Sequence, residues 1–189
     1  MRLTRGIAAA LFASIAAPTA SSIAAVIGGA YYAPQYDYRD FFAATDGKPF
    51  QVVLLGNPFP GVDPAAVARA LLPAMQAAKP RPALTFTYDR PAAPPRPDYR
   101  LVLVFDPALN LNSDPVCAGE PARFRPGTPG RFYVYAVYCR NDRTMSQTTA
   151  WTDATGPSDP RIERLFRELF QVVFSAQQNR WALADPSLR

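Results

Sequence analysis

The sequence predicts an α+β domain in which a mixed, largely antiparallel sheet of four or five strands carries two helices on one face, in the order β-α-β-β-β-β-α. Three patterns lead there. Two continuous apolar runs, residues 50–55 and 101–105, read as strands buried on both sides. Two amphipathic stretches each open on Asp-Pro, at Asp63-Pro64 and Asp159-Pro160, where the carboxylate can accept from free amides and proline fits the first helical turn. Alternating residues flank Arg140-Asn141-Asp142-Arg143, and Asn and Asp tolerate the left-handed backbone of a two-residue turn, so this stretch reads as a hairpin.

Taken in order, residues 1–24 read as a secretory signal. Arg2 and Arg5 supply the positive start, residues 7–17 the apolar stretch, and residues 18–22 a small, polar, helix-breaking end. Cleavage after Ala24 satisfies the small-x-small rule, and cleavage after Ser22 is the next choice. The competing reading is an uncleaved inner-membrane anchor running to Ile27, which the alanine-rich run and Pro18 weaken. Residues 25–48 form an aromatic-rich arm: Tyr31, Tyr32, Tyr36, Tyr38, Phe41 and Phe42 follow no period, so an extended segment with one helical turn before Gly47 is expected to lie over the core.

The single domain is expected over residues 49–176, with a loose tail at 177–189. After the strand at 50–55, helical spacing of Val67, Leu71, Ala74 and Ala78 makes one apolar stripe, and Pro73 is expected to bend it. Leu84, Phe86 and Tyr88 alternate with Thr85 and Thr87, the pattern of a strand with one wet face. Residues 91–97 form a stiff, proline-rich loop. The strand at 101–105 leads into a long loop, 106–130, whose five prolines give it little of its own secondary structure. The hairpin follows over 132–139 and 144–152. Ile162, Leu165, Phe166, Leu169, Val172 and Val173 then share one broad helix face.

Composition narrows the chemistry. The chain has 189 residues, 49% hydrophobic, room for one core and no more. There is no histidine, so no Ser-His-Asp or Cys-His nucleophile pair and no imidazole metal site can exist. No phosphate-loop, nucleophile-elbow or Cys-x-x-Cys motif occurs, and no cofactor or metal is expected. The net charge of +5 falls to +3 once Arg2 and Arg5 leave with the signal, too little for a nucleic-acid partner in the absence of a basic stripe. With export, the two cysteines, Cys117 and Cys139, are expected to pair. A closed loop of that length is worth roughly 3 kcal/mol.

Four stretches were candidates for chemistry. The Gly56 to Gly61 turn joins a strand to a helix start, yet its prolines remove amides that an anion would need, so it reads as a plain connection. Asp106 ends a central strand, where it either opens a turn with Pro107 or serves as the acid-base group of a periplasmic enzyme using carboxylates and arginines. Asn110, Asn112 and Asp114 have calcium-loop spacing, but Pro115 stands where glycine is required. Arg123, Phe124, Arg125 and Arg131 in or beside the long loop, with Arg140 and Arg143 at the hairpin turn, form an arginine-aromatic surface if the fold gathers them.

The exported strand-helix start, the hairpin whose second strand carries Thr149-Ala150-Trp151, and the closing helix from Asp159 resemble the small periplasmic domains of Gram-negative envelope lipoproteins of unknown function, over about residues 50–175. The lipidated cysteine of those proteins is missing here. The resemblance implies an accessory role in the envelope and supplies no catalytic residues. The expectation is therefore a periplasmic or secreted, disulfide-stabilised, non-catalytic binding module. Its partner would be an envelope protein or an anionic envelope polymer, and it would have no membrane span after cleavage. The enzyme built on Asp106 and the anchored structural protein are the alternatives.

Overall fold

A computed structural model describes residues 25–90 and 97–178, so the expected signal, most of the proline-rich loop and most of the expected tail lie outside the described residues. The elements in chain order are β1 (Val26–Ile27), β2 (Tyr31–Tyr32), α1 (Tyr38–Thr45), β3 (Pro49–Leu55), α2 (Pro64–Ala77), β4 (Thr85–Thr87), β5 (Tyr99–Phe105), α3 (Ser113–Cys117), β6 (Arg131–Arg140), β7 (Arg143–Asp153) and α4 (Pro160–Val173). One mixed sheet runs in the order β1-β7-β6-β5-β3-β4, with β2 also on β7. β3 lies parallel to β4 and β5, and the remaining pairs are antiparallel.

The α+β class is as the sequence predicts, with more elements than expected. Among the described residues the sheet has seven strands rather than four or five, and there are four helices rather than two. The additions are short. β1 and β2 have two residues each, too few to show a period of two, and α3 has five. The arm is not merely laid over the core: Tyr36 and Phe41 are buried in it, and the helical turn foreseen before Gly47 is the eight-residue α1, capped by Asp37.

Strand parity assigns the two faces of the sheet. Leu101, Leu103 and Phe105 of β5 and Phe132, Val134, Ala136 and Tyr138 of β6 point to the main core with Val67, Leu71 and Met75 of α2 and Ile162, Leu165, Phe166, Leu169 and Phe170 of α4. Both long helices thus cover one face. Asp63 and Asp159 cap them, accepting from the amides of Ala66 and Arg161. Pro73 lies inside α2, and the helix continues through it. On the opposite face, Val102, Val104, Tyr135, Val137 and Cys139 meet Val116 and Cys117 of the long loop. Cys117 and Cys139 are bonded, with their Cα atoms 5.5 Å apart.

The hairpin turn falls where expected, with Arg140 opposing Arg143, but of its two central residues Asn141 alone takes a left-handed backbone, at φ 54°. Its tip is fastened to the start of β5, because the Asn141 amide donates to the Asp98 carbonyl at 2.7 Å and Asn141 Oδ1 accepts from the Asp98 amide at 2.9 Å. The outer edge of β7 is closed by the arm. Between β1 and β2, the Gly28 amide donates to the Thr149 carbonyl at 2.8 Å, and a Cβ at Gly28 would lie 2.2 Å from Thr149 Oγ1, so a larger residue there would force the Thr149 side chain to move.

Where α1, α4 and the lower ends of β3, β5 and β6 converge, aromatic rings fill the core. Phe41 stacks on Phe174 at 4.3 Å, and Tyr138 meets both rings edge-on. The Tyr138 hydroxyl is buried among them without a hydrogen-bond partner among the described residues, and burial drives its proton affinity well above that of an ordinary phenol. Replacing it should therefore relieve a desolvation cost while keeping the ring. Tyr138→Phe is expected to stabilise the protein by about 1 kcal/mol in urea unfolding. A loss of stability would show that the hydroxyl is satisfied in solution.

Candidate functional site

The face of the sheet away from α2 and α4 is covered only in part. The long loop leaves β5 at Asp106, forms α3, and returns beside its own start: the Ala108 amide donates to the Arg123 carbonyl and the Arg125 amide to the Asp106 carbonyl, each at 2.9 Å. Pro107 and Phe124 form a single antiparallel bridge there. Phe124 lies half exposed over Gly56, whose φ of 82° only glycine adopts freely and where a Cβ would stand 2.9 Å from the Phe124 ring. The disulfide and an Arg100 guanidinium hydrogen bond to the Cys117 carbonyl hold the far side of the loop. The rings of Tyr133 and Trp151, paired across β6 and β7, lie partly buried on this face.

Onto those two rings the fold lays two arginines. The Arg125 guanidinium sits 4.9 Å from the centre of the Tyr133 ring, and that of Arg131 sits 4.2 Å from Trp151. Stacking restrains each long side chain while leaving its donors at the rim free. Among the described residues, no carboxylate oxygen lies within 4 Å of either guanidinium. Arg123 is exposed at the same end.

Arg140 and Arg143 are elsewhere. β6 runs ten residues from Arg131 to Arg140, so at ~3.3 Å per residue the two arginine groups stand about 30 Å apart. Arg140 is paired with Asp40 at 3.7 Å and lies over Tyr99, whereas Arg143 is exposed. The expected surface is thus two separate groups, one at each end of the hairpin.

Between them runs a trough. A cavity of about 190 Å³ bounded by Pro107, Leu109, Tyr133 and Thr149 meets one of about 480 Å³ bounded by Tyr31, Gln35, Asp114, Arg143 and Gln147, and both share Leu111 and Tyr135 as walls. The Tyr135 hydroxyl donates to Gln147 Oε1, which orients that amide. Asp114 accepts from the Thr144 amide at 3.1 Å, and hydrogen bonds from Thr144 hold its carboxyl below the usual range. The sequence does not mark Tyr133, Trp151, Gln147 or Tyr31 as site residues. Their common face follows only from the hairpin register and from the two-residue pairing of β2.

Asp106 is 7% exposed, with φ 45°. Its carboxylate packs on Gly127, where a Cβ would come within 2.6 Å of Oδ2. Burial raises its pKa, and Arg125 only partly opposes this. This is a buried turn-opening carboxylate pressed against loop backbone. The Asn110, Asn112 and Asp114 stretch is bound into the loop and α3, and no group of three or more metal-ligating acidic or thiol residues exists among the described residues. No helix among them is long and apolar enough to cross a membrane.

The sign of the Asp106 effect is testable. A native pKa above the unfolded value of about 3.9 means that the carboxylate costs stability as pH rises through the interval between the two, and costs nothing below it. Asn retains the shape and tolerates positive φ. Asp106→Asn is expected to raise Tm by a few degrees at pH 7 and to leave it nearly unchanged at pH 3. A lower Tm at pH 7 would mean that the ionised group is held by a favourable pair.

No family model matches the chain, and no curated protein matches it. Among solved structures it is similar to the PelC L103M dodecamer from Paraburkholderia phytofirmans, at 12% identity and a TM-score of 0.40, covering 82% of this chain and 99% of that one. A likeness this distant says nothing about ligand or assembly.

Proposed function

We propose that the protein is an exported, non-catalytic binding module of the bacterial cell envelope whose open sheet face takes an anionic polymer. The observation that carries this reading is the pair of stacked, unpaired guanidinium groups of Arg125 and Arg131 on adjacent rings of β6 and β7. Two cations held side by side with their donors outward favour carboxylate, sulfate or phosphate groups. The stapled loop and the fastened hairpin keep the rings, and hence the cations, in place before binding, which lowers the entropy cost of association. The leader and the resemblance to periplasmic lipoprotein domains support the compartment, where such polymers are found.

A column of immobilised dextran sulfate tests the reading. Retention of the protein should fall steeply between 0.1 M and 1 M salt, as the Debye length shrinks from about 10 Å to about 3 Å. Arg125→Gln with Arg131→Gln should weaken binding at 0.1 M salt about fivefold or more and flatten the salt dependence. The melting curve should move little, because both side chains are exposed. Unchanged retention in the double variant would refute the proposal.

A further inference from the structure

The trough beside the stacked arginines carries chemistry that a purely electrostatic site would not need. From Tyr133 to the position opposite Arg143, β6 covers seven residue steps, or about 23 Å. Cations stand at the ends of that span, Arg125 and Arg131 at one and Arg143 at the other. The stretch between them presents neutral amide and hydroxyl groups, chiefly Gln147, Gln35, Thr149 and Tyr31. Tyr31 is half exposed and offers a ring face as well as a hydroxyl. One carboxylate, Asp114, lies in the wall at the Arg143 end, kept ionised by its hydrogen bonds from Thr144 and, to a lesser extent, by the Arg143 charge.

We infer that the polymer held by this face is an acidic polysaccharide whose acidic groups are separated by neutral, hydroxyl-rich units. The inference rests on the anionic-polymer reading and sharpens it. A chain with a charge on every unit would set anions against Asp114 and leave the neutral amides and hydroxyls without work. A neutral glycan would leave the stacked guanidinium groups of Arg125 and Arg131 unused. Hydroxyl-rich units with spaced acids match both: amide and carboxylate oxygens accept from hydroxyls, amide N–H groups donate to them, and the terminal arginines meet the acids.

Three probes of matched chain length separate the readings by calorimetry at 0.15 M salt: hyaluronan, with an acid on every second sugar; inorganic polyphosphate, charged on every unit; and neutral dextran. Hyaluronan is expected to bind at least tenfold more tightly than polyphosphate, and dextran more weakly than either. Gln147→Ala should lower the hyaluronan affinity about fivefold without changing its salt slope, and should leave polyphosphate unaffected. Arg143→Gln, at an exposed position, should reduce that slope while keeping the melting curve. Polyphosphate binding as tight as hyaluronan, with Gln147→Ala silent, would overturn the polysaccharide assignment and leave the anionic-polymer reading standing. Dextran binding as tight as hyaluronan would overturn the requirement for spaced acids. If neither charged polymer binds, both readings fail together.

Discussion

The structure depends on covering the second face of its sheet. β5 is buried on both sides, with Leu101, Leu103 and Phe105 against the helices and Val102 and Val104 facing away from them. α2 and α4 occupy one side only. The other must be closed by the long loop, whose regular structure amounts to the five residues of α3 and one bridge. Such a loop gains little from its own hydrogen bonds and loses much chain entropy on docking. The Cys117–Cys139 bond offsets part of that loss by fixing α3 onto the end of β6, where Val116 and Cys117 meet Val137 and Cys139.

From that constraint the site follows. Anchored at Cys139, the loop covers Val102, Val104 and Val137 but leaves the rings of Tyr133 and Trp151 only partly covered. Its return past Asp106 carries Arg125 back over Tyr133, while the first residue of β6 carries Arg131 over Trp151. Gly56 and Gly127 allow this return to lie close to the ends of β3 and β5, Gly127 by leaving room for the Asp106 carboxylate. One covalent tether and two small residues therefore decide which aromatic rings stay uncovered and which cations meet them.

Much of the fold was legible in the sequence because the deciding signals are local. The Asp-Pro starts mark α2 and α4, the apolar runs mark β3 and β5, although β3 contains Gln51 and is fully buried only at Phe50 and Val52, and Asn141 sits at the turn as its side chain favours. With only two cysteines, and a leader that reads as an export signal, the pairing could be read directly. What escaped depends on register between distant segments. β1 and β2 are strands only because β7 offers a free edge, and Phe41 enters the core because α1 brings it against Phe174. Phe170 was missed on α4 because its face is wider than a single stripe, burying Phe170 and leaving Val172 at the margin. The site was legible in half. Arginine interleaved with phenylalanine drew attention to Arg125 and Arg131, yet the rings they use are Tyr133 and Trp151. Arg140 and Arg143, which look close in the sequence, sit at the far end of a long hairpin.

The tether's role is tested most directly by hydrogen exchange on the wild type and on Cys117→Ala with Cys139→Ala. If the bond holds the loop on the second face, amides of the loop such as Ala108, Leu111, Ala118 and Arg125 should exchange faster in the variant by on the order of a hundredfold, through local undocking. Amides in the middle of β5 and in α4 should stay protected well beyond them. Loop amides that keep their wild-type protection, or that rise only in step with β5 and α4, would contradict the account, because the loop would then be held by its packing alone or would open only with the whole domain.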